Sequence, residues 1–369
     1  MTGKSLGIAQ VGTGAIALAN HLPGVQVASH GEMVALCDVN QAALQQAFTA
    51  TGIEKVYTDY RRMLQDPAVD AVIIATPNIF HKEIALAAIA AGKHVMCEKP
   101  LALNYADALE MQQAADKAGV RHMTAFTYRF VPAMRYMRHL IQSGYIGQPY
   151  HFRVNRLQDW GDRYMAWRQS MAMAGSGELG DMLSHRVDYG HFLIGPIARL
   201  VASTKHLIST RYDGAGNAYP SDVDDWVAVL AEFESGVTGN LESSKLAAGR
   251  GEGGKAQDYC EVNGSEGTLI YYLGQPNTLQ IGKRGGQLET VAVPEEFLKV
   301  PGSPRDPHQG DPVQVFRYDQ DFEFIQAIVE GRPCQPSFLD GVLVQGVMDA
   351  IQLSDREKRW VDVPKLSAN

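Results

Sequence analysis

The first third of the chain alternates short apolar runs with stretches of helical period. Runs at 7–11, 33–37, 71–75 and 94–97 are separated by helical patterns that start at Ala15, Gln41 and Ile79. Strand and helix by turns predict a parallel sheet with helices on its faces. The alanine-rich helices 83–91 and 105–118 stop at Gly92 and Gly119, each glycine supplying the positive φ that ends a helix, and a further strand is expected over 120–125. After Phe126 the texture changes. A helix over 131–143 and a Gly147-Gln148-Pro149 turn lead into long alternating segments, of which 226–234 and 238–245 flank Ser235-Gly236-Val237 as a hairpin. Asn263-Gly264-Ser265-Glu266-Gly267 marks another tight turn, and helices are expected over 180–194, 318–330 and 339–355. The expectation is an α/β chain: an N-terminal doubly wound Rossmann domain over 1–126, then an α+β domain over 127–369 with a large, mostly antiparallel open sheet.

Composition narrows the function classes. The 369 residues suffice for two domains, each with its own core. Lys plus Arg number 33 against 41 Asp plus Glu, a formal charge of −8 with no basic block to track a phosphate backbone, so nucleic acid is not an expected partner. Cys37, Cys97, Cys260 and Cys334 stand far apart without a Cys-x-x-Cys pair, which fits reduced thiols in a cytoplasmic protein. Met1-Thr2-Gly3-Lys4-Ser5 leads into an apolar run too short for a leader, and no stretch approaches the ~20 apolar residues of a membrane span. A soluble, unprocessed chain with no membrane partner is expected. The histidines form no His-Glu-x-x-His helix or Cys/His cluster, so no metal site is expected, and no Gly-x-Ser-x-Gly elbow is present. The glycine-rich stretch 249–254 is not followed by a helix and reads as a loop.

The first strand runs straight into Gly12-Thr13-Gly14-Ala15-Ile16-Ala17 and a helix, the Gly-x-Gly-x-x-Ala form of a dinucleotide fingerprint in its proper context. Gly12 permits the tight turn, Gly14 lets backbone amides approach a pyrophosphate, and Ala17 lets the helix pack on the strand. Asp38 closes the second strand about 20 residues on, where a carboxylate accepts ribose hydroxyls and repels a 2′-phosphate. NAD is therefore the expected cofactor. A glycine turn without ligand, with Asp38 capping the next helix, is the competing account.

Cys97-Glu98-Lys99-Pro100 ends a later strand at the carboxyl edge of the sheet, where doubly wound folds bind ligands. In a helix, Asp181, His185 and Asp188 fall on one stripe, opposite Leu179, Met182, Leu183 and Val187. Periodicity alone makes that stripe a solvated face. Taken together, however, Gly12-x-Gly14-x-x-Ala17, Ala75-Thr76-Pro77-Asn78-x-x-His81, Glu98-Lys99-Pro100 and the signature Gly175-Ser-Gly177-Glu-Leu179-Gly-Asp181-Met-Leu-Ser-His185 resemble the Gfo/Idh/MocA family, the glucose-fructose oxidoreductase and inositol dehydrogenase group. The resemblance extends to about Val363. It implies that Lys99, Asp181 and His185 act together at the nicotinamide, that the Lys99-Pro100 peptide is cis, and that Thr76, Pro77, Asn78, His81, Glu98 and Arg168 contribute to the cofactor site. A neutral imidazole suits removal of a hydroxyl proton during hydride transfer, which makes His185 the expected base; Lys99 would stabilise the alkoxide and Asp181 would orient the imidazole or bind a second hydroxyl.

Further substrate contacts are expected from Tyr128, which follows the last Rossmann strand, and from Trp160, Arg163, Trp167 and Arg168, whose aromatic and guanidinium groups suit sugar faces and anions. A core tyrosine and interface packing are the competing accounts of these residues. The resemblance implies an NAD-dependent oxidoreductase acting on a secondary alcohol of a sugar, sugar derivative or cyclitol, paired into a homodimer or homotetramer through its second-domain sheet. It also admits a redox-neutral NAD-dependent glycosidase acting at C3 and C2, with sulfonated or other anionic glycosides among its substrates, and a non-catalytic sugar sensor.

Overall fold

The computed structural model describes residues 5–366; residues 1–4, on which the reading of an unprocessed start rests, and residues 367–369 lie outside the described part. The chain divides into two compact units, Met1–Phe130 with Lys299–Val342, and Val131–Leu298 with Leu343–Asn369.

In the first unit, β1 (Leu6–Val11), β2 (Gly31–Cys37), β3 (Val56–Tyr57), β4 (Ala71–Ile74), β5 (His94–Cys97) and β6 (His122–Thr124) form a parallel sheet in the order β3-β2-β1-β4-β5-β6. The central strands β1 and β4 are buried almost throughout, and apolar but for Gln10 in β1, because both faces are covered. Successive residues serve opposite sides: Ala9, Val72 and Val95 join Ile84, Ala88 and Met111 in one core, while Ile8, Ile73 and Met96 join Val25, Phe322, Phe324 and Ile325 in the other. The connecting helices begin and end as their sequences dictate. Asn104 caps the helix Tyr105–Ala118 by accepting from Asp107 N, and Gly119 closes it at φ 68°.

Phe322, Phe324 and Ile325 lie on the helix Tyr318–Glu330, whose bounds the sequence predicts but whose place it does not. A single cut after Phe126 assigns this helix to the second domain. Instead, the segment Lys299–Val342 belongs with the first unit, because its apolar residues complete the core on one face of the parallel sheet.

The second unit holds β7 (Pro149–Leu157), β8 (Ile197–Lys205), a small ribbon of β9 (Thr210–Tyr212) and β10 (Ala218–Pro220), then β11 (Trp226–Phe233), β12 (Thr238–Ser244), β13 (Gln257–Gly264), β14 (Gly267–Tyr272), β15 (Thr278–Lys283), β16 (Glu289–Ala292) and β17 (Val361–Asp362). Apart from the ribbon they form one sheet in the order β16-β15-β14-β13-β7-β12-β11-β8-β17, antiparallel except where β12 runs parallel to β7. Val227, Val229, Ala231 and Phe233 are buried, whereas Leu230 and Glu232 between them are exposed. The helices Pro132–Gln142 and Ser184–Leu193 pack on this sheet. Leu230, Asn240, Arg153 and Glu261 lie in register across the opposite face, where the first three are exposed.

Candidate active site

The order of the parallel sheet reverses between β1 and β4, and in open sheets of this kind ligands bind at the carboxyl ends beside that point. Gly12 follows β1 and Thr76 stands just beyond β4, so both motifs arrive there. Gly12 has φ 84°, and a Cβ on it would sit 2.5 Å from the Ala75 carbonyl oxygen; glycine is required twice over. At Gly14 a Cβ would meet nothing within 4 Å, and Gly14, Ala15 and Ile16 are exposed where the helix begins. This open helix N-terminus is the cradle a pyrophosphate needs. Asp38 is half-buried beside it: Oδ2 accepts from Thr13 N at 2.8 Å and Thr13 Oγ1 at 3.1 Å, and Oδ1 accepts from Asn40 N at 2.8 Å. Asn40 itself, rather than Asp38, caps the helix Gln41–Thr51. Thr76 Oγ1 is buried without a hydrogen-bond partner, a polar group left for a ligand. These features fit a dinucleotide.

Other members of the expected cofactor set hold the site from behind. His81 is fully buried, with Nδ1 2.9 Å from the Pro100 carbonyl and Nε2 3.0 Å from the Thr76 carbonyl, so it braces the two loops that follow β4 and β5. Burial lowers its pKa despite those two acceptors. Asn78 is buried on the turn after Pro77. Lys99 is half-buried on the turn after β5, and the Lys99-Pro100 peptide is cis. Tyr128 is a core residue with Arg317 over its ring at 5.0 Å, and Phe316 lies nearby at 6.2 Å.

In the second unit, Asp224 shapes the segment that carries the second signature. Its carboxylate accepts from Gly177 N and Leu179 N, both at 2.7 Å, while its carbonyl accepts from Glu178 N at 3.0 Å. A Cβ on Gly177 would stand 2.0 Å from that carbonyl oxygen, so the signature's glycine is needed for close approach. The clamp starts a π-helical turn, Leu179–Leu183, which passes into the helix Ser184–Leu193. Asp181 lies in the π turn and His185 just beyond it. The α-helical spacing used to align them therefore does not hold across this stretch, because an i to i+5 turn takes an extra residue. Nor is the polar stripe a solvated face: Asp181 is half-buried, His185 is 4 % exposed and Asp188 1 %, and Arg186 beside them is fully buried.

Buried charge from the sheet explains this. Asp258 pairs with Arg156, its cross-strand neighbour, at 3.1 Å and with Arg186 from the helix, so the helix face opposite solvent is polar by design of the fold. Glu178, fully buried, accepts from the Ser243 hydroxyl. Burial, with Asp181 and Asp224 close by, pushes its carboxyl up to about 8. Sequence reasoning quoted Glu178 within the signature but assigned it nothing. Its signal was an acid between two residues, Gly177 and Leu179, that both turn inward.

The aromatic segment is more engaged than its composition suggests. Trp160 is buried and donates from Nε1 to Gln158 Oε1 at 2.6 Å, and Arg163 pairs with Glu252 at 2.6 Å. Trp160 is thus packed within the unit, while the Arg163 pair lies exposed on its surface. Trp167 and Arg168 are half-buried and stacked, with the guanidinium 4.5 Å from the ring centroid. Among the described residues no cluster of His, Cys, Asp or Glu could hold a metal ion, and no helix is long and apolar enough to cross a membrane.

Residues 6–126 match the model of the oxidoreductase family with an NAD-binding Rossmann fold, and residues 134–270 match the GFO/IDH/MocA C-terminal domain. Levoglucosan dehydrogenase of Pseudarthrobacter phenanthrenivorans is 32% identical over 90% of this chain and 90% of its own length. D-apiose dehydrogenase of Paraburkholderia graminis is 31% identical over 95% of this chain and 88% of its own. A solved levoglucosan dehydrogenase in complex with NADH and levoglucosan superposes with a TM-score of 0.89 at 31% identity, covering 98% of this chain and 100% of that one. Such matches favour net oxidation over the redox-neutral glycosidase scheme. With its fingerprint loop, its parallel sheet and its second-unit signature each accounted for, the chain belongs to the Gfo/Idh/MocA family and is an NAD-dependent oxidoreductase.

Proposed function

We propose that the chain oxidises a secondary hydroxyl of a neutral pyranose, anhydro sugar or cyclitol, with Lys99, Asp181 and His185 as the groups that handle the substrate. The observation that carries this reading is the placement of Lys99 directly after β5, on the carboxyl edge that also presents Gly14 and Thr76. Relatives that align over most of the chain act, by name, on levoglucosan and D-apiose, and a shorter match is a myo-inositol 2-dehydrogenase of Thermotoga maritima.

Gly12, Thr13, Gly14, Ala15, Ile16, Asp38 and Thr76 would hold the cofactor, which supplies a hydride acceptor when bound. His185 takes the hydroxyl proton, and the imidazole becomes imidazolium as the carbon–oxygen bond becomes a carbonyl. The Lys99 ammonium donates to the same oxygen and offsets its developing negative charge. Asp181 orients the imidazole or binds a neighbouring hydroxyl. Trp167 and Arg168 offer a stacked platform for the sugar. The open face that carries Leu230 and Arg153 is the surface through which copies of the chain would pair, and the four free, buried thiols suit a cytoplasmic setting.

Incubation with NAD and a panel of free sugars, anhydro sugars, cyclitols and nitrophenyl glycosides tests the reading. NADH should accumulate one for one with oxidised product, and Lys99→Ala and His185→Ala should each lower kcat by ~100-fold or more while cofactor affinity stays nearly unchanged. Catalytic release of nitrophenol with no accumulation of NADH would replace oxidation by the glycosidase scheme, and wild-type turnover in either variant would remove that residue's role.

A further inference from the structure

His21 closes the π-helical turn Ala17–His21, immediately after the dinucleotide fingerprint, and is fully buried. Its Nδ1 lies 2.9 Å from Asp321 Oδ1, on the helix Tyr318–Glu330, and its Nε2 lies 3.1 Å from Glu98 Oε1, on the turn after β5. Glu98 in turn accepts, through Oε2, the backbone N–H of Lys99 at 3.1 Å. We propose that Asp321, His21 and Glu98 form a hydrogen-bonded chain that sets the Glu98-Lys99 turn for the reaction, with His21 as a positioning residue.

Three observations support a role in placement. An ionised carboxylate only accepts, so with one on each ring nitrogen both nitrogens donate and the ring is an imidazolium; burial raises the Asp321 carboxyl, and the His21 charge and hydrogen bond oppose that rise. Burial works against that charge, but Asp321 and Glu98 outweigh it and hold the His21 pKa up at about 10. Glu98 is held below the usual carboxylate range against its own burial, by the His21 bond and charge and by Lys99. The arrangement is costly. Asp321 Oδ2 is buried with no hydrogen-bond partner, and it lies so close to the first helix that a Cβ on Gly24 would stand 2.2 Å from it. Buried ion pairs rarely stabilise a fold more than apolar residues of the same volume, so stability is a poor reason for building one here. What the chain does achieve is a fixed path from the core helix, through the fingerprint turn, to the peptide that carries Lys99.

The inference rests on the reading of Lys99 as a reacting group, and the experiment keeps the two apart. In the full-length enzyme, His21→Asn retains a donor where Nδ1 meets Asp321 and loses the bond to Glu98, whereas His21→Gln retains a donor toward Glu98 and loses the bond to Asp321. His21→Asn should lower kcat about 10-fold or more with NADH affinity changed less than about 3-fold, and His21→Gln should recover kcat to within about 3-fold of wild type. Wild-type kcat in His21→Asn, or an equal loss in both variants, overturns the proposal, since packing alone predicts no difference between the two amides. Should His21→Asn fail to fold, Glu98→Gln keeps the side chain's shape but leaves one acceptor oxygen where Glu98 takes both the His21 and the Lys99 N–H. A kcat lowered about 10-fold at NADH affinity changed less than about 3-fold supports the chain, and an unchanged kcat overturns it. Lys99→Ala is the companion measurement: full activity there removes the Lys99 reading and this proposal with it, while an inactive Lys99→Ala beside an active His21→Asn removes the proposal alone.

Discussion

Asp38 is engaged by Thr13 and Asn40 before any ribose reaches it, so its carboxylate is already fixed in place. A fixed carboxylate costs little further ordering on binding, and a 2′-phosphate beside it would bring like charges to contact distance. NAD should therefore bind more tightly than NADP, and Asp38→Ser should weaken NAD binding and shrink the preference by about 10- to 100-fold, the worth of one or two hydrogen bonds to a charged group. Fluorescence titrations with NADH and NADPH give both numbers; tighter NADPH binding by the wild-type protein would sink the claim. Residues of this kind were legible in the sequence because their chemistry is local. Gly12, Gly14 and Asp38 sit at fixed spacings around one strand–turn–helix. His21 was not legible, because nothing near it in the sequence announces partners at Glu98 and Asp321, on segments far along the chain.

At the scale of elements, the sequence predicts the helix over 180–194 and the polar groups on it, yet periodicity alone puts those groups in solvent. A solvated stripe and a buried one have the same periodicity. The difference is made by Arg156 and Asp258 on β7 and β13 and by Ser243 on β12, contacts that no helix period contains. The π turn is equally hidden, since Asp224 imposes it from the segment before β11. Glu178, at the head of that turn, carries a pH dependence of stability. Its carboxyl moves from 4.5 to about 8 on folding. Between those values the folded state holds a proton that the unfolded state has released, so this contribution is complete below about 4.5 and is lost as the pH rises through 8. The slope approaches about 1.4 kcal/mol per pH unit at most. Glu178→Gln cannot ionise. Relative to wild type it should gain stability steadily from pH 5 to pH 8.5, read as a widening gap between urea midpoints. Parallel pH profiles for the two proteins would show that Glu178 is not the source.

For the molecule as a whole, alternation of strands and helices made the parallel sheet readable, while the return of Lys299–Val342 to the first unit was not. The helix Tyr318–Glu330 has an ordinary amphipathic pattern that fits either unit. Only packing decides, and Phe322, Phe324 and Ile325 pack in the core with Ile8, Ile73 and Met96. Each of those side chains contributes about 1.5–3 kcal/mol when fully buried, against a net stability of about 5–15 kcal/mol for a whole domain. A fragment ending at Phe126 should therefore lack a cooperative thermal transition and precipitate, whereas residues 1–130 joined by a flexible linker to 299–342 should unfold cooperatively and bind NADH. A soluble, cooperative fragment 1–126 would contradict this account. The same discontinuity sets a timetable during synthesis. At ~5–20 residues per second, a ribosome that has finished the parallel strands spends roughly 10–30 s on the intervening segment before the helix that covers them is made. Through that interval an apolar sheet face is open to water in the nascent chain. The order of the coding sequence, and not the strength of the finished core, sets how long that face waits for its cover.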